Sequence, residues 1–262
     1  MRPAHPMPEE PPVPEAVPSR RSVVFVPDEA LLYELSDSPF CLKARICLQL
    51  KGVPFRRVTV TLGRRRELRR LSPLGRVPVL VHGETVIADQ SRIAHHLDEV
   101  YPEPLLVPLG AEARAYAGLV EEWADGVLAP VVGACKWLNP ENRVAALANT
   151  VTEMASAPLR PLLGRLLVAW MRRRHAAAGY TAHSLDRLED RLRASLAGLA
   201  TLLAGKPHLL GRTPTIADVA VFAQLAGLRG YAEARLVEEV PVVVEWLDRL
   251  GTLPPIAAAL AS

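Results

Sequence analysis

The apolar periodicity of this chain changes once, near residue 110, and that change limits what each half can become. Up to Val100, short runs alternate between strand-like and helix-like patterns. Strands are expected at 31–35, 55–62, 77–81 and 84–88, the last two joined by a tight His82-Gly83 turn. Helices are expected from Pro39 to Leu50, over 64–71 and over 89–100, with Lys51-Gly52 closing the first. The order β-α-β-α-β-β-α fits a small sheet covered by helices. After Ala111, aliphatic residues recur at helical spacing almost to the end, which predicts helices at 111–137, 143–175, 184–204, 215–229, 241–250 and 255–261. Pro158 and Pro161 are expected to break or kink the second of these. The fold class is therefore α/β followed by an all-α domain, divided at 30–101 and 111–262 by a proline-bearing linker.

Composition narrows the function classes. Seven of the 24 prolines fall in the first 18 residues, so 1–29 reads as a disordered, proline-rich tail that adds no core. Ser19-Arg20-Arg21 precedes an apolar run of only Val23 to Val26, too short for an export signal. A net charge of +3 over 262 residues does not point to nucleic acid. The absence of an apolar stretch of about 18 residues argues against a membrane span. Three cysteines form no closed disulfide set and no zinc-ligand spacing, so no metal is expected and a reduced, cytoplasmic location is.

Three segments carry chemistry. Ser38-Pro39-Phe40-Cys41 follows a strand and opens a helix, whose unpaired N–H groups and dipole favour an anion such as a thiolate. A thiol of pKa ~8.5 is only about 3% ionised at pH 7, so sulfur chemistry requires such stabilisation. One hydroxyl hydrogen bond together with the dipole supplies about two pKa units. The second segment is Arg76-Val77-Pro78-Val79, where a proline opens an interior-looking strand. A cis Val77–Pro78 bond would turn the preceding backbone toward a ligand. The third is Asp89-Gln90-Ser91 at a helix start, whose side chains and free N–H groups can hold a carboxylate.

In this order the three segments resemble the glutathione S-transferase family, in which a thioredoxin-like βαβαββα domain precedes a helical bundle. The resemblance covers about residues 30–250 and includes the Leu68 to Pro78 run and a late capping box, Thr215-Ile216-Ala217-Asp218. It implies glutathione as co-substrate, with Ser38 stabilising its thiolate during attack on a hydrophobic electrophile. It further implies that Val77 and Pro78 pair with the cysteinyl part, that Gln90 and Ser91 hold the γ-glutamyl end, and that Arg76 meets a carboxylate. Tyr116, Trp123, Leu128 and Trp137 are the implied electrophile contacts, and the implied assembly is a homodimer.

Other readings stand beside this one. Ser38 replaces the first cysteine of the Cys-Pro-Phe-Cys motif of thiol-transferring relatives, which disfavours a reductase acting through Cys41, a residue expected to be half-buried. A non-catalytic scaffold on the same fold is the remaining alternative. Thr215 and Asp218 read as structural, and Cys47 and Cys135 as core. Arg64-Arg65-Arg66, Arg69-Arg70 and Arg172-Arg173-Arg174-His175 read as solvated faces. His95 and His96 diverge on their helix and do not form a metal pair. The stretch 138–183 is longer than the fold requires.

Overall fold

A computed structural model describes residues 30–261; the expected tail lies outside them. The first part contains β1 (Ala30–Glu34), α1 (Pro39–Leu50), β2 (Phe55–Thr59), α2 (Arg65–Leu71), β3 (Val79–His82), β4 (Thr85–Ala88) and α3 (Gln90–Val100). Its sheet has the order β2-β1-β3-β4, with β1 parallel to β2 and antiparallel to β3, and β3 antiparallel to β4. Successive residues of β1 face opposite sides. Ala30 and Leu32 join the core built with α1 and α3, whereas Leu31 and Tyr33 pack with Val58, Val79 and Leu68 of α2. The fold class is the one expected, a four-stranded mixed sheet with helices followed by a helical region.

That region runs through α4 (Ala111–Trp123), α5 (Ala129–Leu138), α6 (Arg143–Met154), α7 (Arg160–Ala177), α8 (Leu185–Leu203), α9 (Ile216–Ala226), α10 (Ala234–Glu238), α11 (Pro241–Gly251) and α12 (Pro254–Ala261). A π-helical turn, Ala124–Leu128, joins α4 to α5. The helix expected over 143–175 is two helices. Ala155 is extended, and Pro158 and Pro161, which lack N–H donors, sit in the short turn and at the start of α7. At five residues, α10 is too short to show periodicity and was not anticipated. His175 is a second correction, since it is buried rather than solvated. Its ring packs where Gly133 of α5 has no side chain, and burial lowers its pKa to about 4.

Buried along its length, α9 is the axis of the helical region. Asp218 fixes its start by accepting from the Leu209 and Thr215 N–H groups at 2.9 and 3.0 Å and from Trp246 Nε1 at 3.3 Å. One hydrophobic core runs from the α1 face of the sheet into α4, α5, α8, α9 and α11. The seam is tight where α9 ends. A Cβ on Gly227 would stand 2.9 Å from Pro39 Cγ, so only glycine lets this helix end meet the start of α1. The seam therefore passes beside Ser38.

Candidate active site

Strand register gathers the three sequence signals at one end of the sheet. Tyr33 of β1 pairs with Val79 of β3, and Val79 pairs with Ala88 of β4. The chain leaves β1 toward Ser38, enters β3 from Pro78 and leaves β4 toward Gln90, all at that end. The Val77–Pro78 bond is cis, as the sequence predicts. Pro78 is buried, Val77 half-buried and Arg76 exposed.

Ser38 is the N-cap of α1, extended at φ −93° and ψ 118°, with Pro39 in the first helical position. Its Oγ accepts from Cys41 N at 3.4 Å, a long bond that leaves the hydroxyl able to serve another partner. The preceding residues are held from several sides. Glu153 of α6 accepts from Ser36 N at 2.9 Å and Ser36 Oγ at 2.7 Å. Asp37 pairs with Lys136 of α5 and accepts from Thr150 of α6 at 2.9 Å. Buried Glu34 pairs with Arg57 and, at 3.4 Å, with Arg45 Nη1. Two helices beyond residue 129 thus position the loop that presents Ser38.

Cys41 is fully buried rather than half-buried, because α1 turns this position into the core. Desolvation pushes its pKa up to about 12, outweighing the opposing hydrogen bond from Ser38. It stays a thiol at neutral pH. Burial likewise holds Cys47 and Cys135 at about 12.

The start of α3 is more fully satisfied than the sequence implied. Asp89 Oδ1 accepts from Ser91 N at 2.9 Å and Arg92 N at 3.1 Å, so N–H groups expected to be free for a carboxylate already have a partner. Gln90 Nε2 donates to Asp125 Oδ2 at 3.1 Å, and Lys43 Nζ to Ser91 Oγ at 3.3 Å. Lys43 is buried between Glu121 and Asp125 at 2.7 and 2.8 Å. Burial alone would lower its pKa, but the two carboxylates outweigh that and raise it. Asp125 Oδ1 is a buried acceptor without a hydrogen-bond partner among the described residues.

Of the implied electrophile contacts, Trp137 borders the Ser38 loop through Lys136, which pairs with Asp37 and stands over both Trp137 and Tyr231. A cavity of about 170 Å³ beside Ser38 is lined by Pro39, Arg45, Arg229, Tyr231 and Leu260, among others, but not by Tyr116, Trp123, Leu128 or Trp137. Tyr116 and Trp123 pack against the core, and Leu128 is buried within it. Tyr116 responds to burial and to Asp218 at the far end of α9, which raise its pKa. Tyr231, pushed up to about 12 by burial, and Arg229 were missed because they sit in a turn with no motif. His96 Nε2 lies 3.0 Å from His82 Nδ1 and His95 is exposed; among the described residues no cluster of three or more His, Cys, Asp or Glu side chains could hold a metal.

Comparison with known proteins shows the family and the fold. Residues 32–105 match the family model of the glutathione S-transferase N-terminal domain, and residues 182–249 that of the C-terminal domain. The chain belongs to the glutathione S-transferase family. Glutathione S-transferase 1 of Dianthus caryophyllus is 43% identical over 88 residues, which span 32% of this chain and 40% of that protein. Protein LigF of Sphingobium sp. is 24% identical over 235 residues, 86% of this chain and 90% of that one. The crystal structure of beta-etherase LigF from Sphingobium sp. superposes with a TM-score of 0.70 at 23% identity, covering 89% of this chain and 99% of LigF. A Pseudomonas fluorescens family member with two glutathione molecules bound gives 0.65 at 17% identity over 88% and 92%. No helix among the described residues is long and apolar enough to cross a membrane.

Proposed function

We propose that this chain is a glutathione-dependent transferase in which Ser38 stabilises the glutathione thiolate. The observation that carries the reading is the convergence of the Ser38 cap, the cis Val77–Pro78 bond and the Gln90-Ser91 pair at one sheet end. The residues present fit the tripeptide. The Val77 backbone would pair with the cysteinyl unit, the Gln90 and Ser91 side chains would hold the γ-glutamyl end by exchanging their contacts to Asp125 and Lys43, and exposed Arg76 would meet a carboxylate. Asp125 Oδ1, buried without a partner among the described residues, would receive the γ-glutamyl ammonium.

The thiol proton leaves to solvent, and Ser38 Oγ donates to the sulfur anion. Sulfur then bonds to an electrophilic carbon, whose leaving group departs with the bonding electron pair. The electrophile would lie against Tyr231 and Leu260, in a cavity smaller than the ~300 Å³ of typical ligand sites, which favours a compact reacting group. Three buried thiols accord with a reduced, cytoplasmic setting. Exposed Leu74, Val86 and Val100 on the sheet part and Leu119 and Val127 on the helical part are available for homodimer contacts.

A binding-only role draws on one observation, the prior occupation of the α3 N–H groups by Asp89. Glutathione titration calorimetry followed by conjugation of chlorodinitrobenzene, with wild type and Ser38→Ala, separates the two. Binding with turnover that falls in the variant supports the transferase. Binding without turnover supports the scaffold, and absence of binding removes both glutathione roles.

A further inference from the structure

The α6–α7 pair falls between the two matched family segments, and it builds a groove that the reaction at Ser38 does not use. The groove has a volume of about 760 Å³, within the ~300–1,000 Å³ of small-molecule sites. Its walls are apolar, formed by Leu147 and Val151 of α6 and Val168 and Ala169 of α7. Gly164 sets the close approach of the helices, since a Cβ there would stand 3.3 Å from Leu147 Cδ2.

Every charged side chain lining this groove is an arginine. Because α7 returns along α6 after a short turn, Arg143 at the start of α6 and Arg172 and Arg173 late in α7 line the same end of the groove. Arg160 is spent at the turn end, donating to the carbonyls of Ala155 and Thr152 at 3.1 and 3.3 Å. No carboxylate of the described residues forms an ion pair with Arg143, Arg165, Arg172 or Arg173, and residues 155–185 contain no Asp or Glu. Like charges gathered at the end of an apolar trough repel until an anion joins them. Guanidinium pairs grip a carboxylate with two parallel hydrogen bonds, while an apolar body gains by leaving water.

We propose that the α6–α7 groove binds a free fatty carboxylate, its chain along Leu147, Val151 and Val168 and its head at Arg143, Arg172 and Arg173. The test is calorimetric titration of the full chain with dodecanoate below its micelle concentration, with dodecyltrimethylammonium as the opposite-charge control. Expected is saturable binding of dodecanoate and none of the ammonium. Arg143→Gln/Arg172→Gln should weaken binding at least tenfold. Ala148→Trp, which fills the groove from an exposed position, should abolish it, both variants melting as wild type. Lack of saturation, equal binding of the ammonium, or binding unchanged in both variants overturns the proposal. Retention on anionic phospholipid vesicles without binding of monomeric dodecanoate also overturns it, assigning the arginines to a membrane surface instead.

Discussion

Helices α1 and α3 start at the same end of the sheet but are capped by opposite means. The α1 cap is a neutral hydroxyl, Ser38, holding one N–H at 3.4 Å beside a small cavity. The α3 cap is a carboxylate, Asp89, holding two N–H groups near 3 Å, and the following side chains are tied to Lys43 and Asp125. A helix start already holding an anion has little left for a second one, whereas a hydroxyl cap leaves the dipole unspent. On the proposed reading, this difference favours α1 as the helix start that stabilises the thiolate, with α3 a rigid polar wall beside it.

Breaking that wall should produce the largest effect. Lys43→Met leaves Glu121 and Asp125 buried without their cation, and a loss of about 3–5 kcal/mol in chemical denaturation is expected. A loss below about 1 kcal/mol would mean that the wall does not depend on this lysine. At the other helix, Ser38→Ala should reduce kcat/KM for glutathione conjugation by roughly 100-fold, the scale of losing one anion-stabilising donor. Its stability should fall by no more than the ~1 kcal/mol of a lost cap, which thermal melting would check. Asp89→Ala should show the reverse balance, costing about 1 kcal/mol of stability with a smaller effect on kcat than on KM. The smallest response belongs to Cys41. Held near pKa 12, it should resist iodoacetamide in native protein at pH 8, and labelling there at the rate of a free thiol would contradict its burial. All three thiols titrate higher folded than unfolded, so their contribution to stability is intact below about pH 8.5 and is lost as pH rises toward 12.

Local rules made some of this legible in the sequence. Ser38 before a proline, Pro78 opening an interior strand and the Thr215 to Asp218 box each leave a signature within a few residues, and each occurs as read. The contacts that position the Ser38 loop leave none. Lys136, Thr150 and Glu153 lie about a hundred residues from their partners in the chain, and no periodicity links them. Gly227 acts only through the close approach of Pro39, which is a fact of packing. The depth of Cys41 was misread for a related reason, because α1 is covered on one face by the sheet and on another by α9 and α12. The aromatic residues implied as electrophile contacts are half-buried and do not line the small cavity beside Ser38, which Tyr231 does.

The most direct test of anion stabilisation at α1 is the thiol pKa of bound glutathione, read by ultraviolet titration of the thiolate in wild type and Ser38→Ala. In wild type the value should lie about two units below the free thiol, and the variant should still bind glutathione while losing most of that shift. The same pKa in both proteins, or a bound thiol no more acidic than the free one, would contradict the assignment of Ser38.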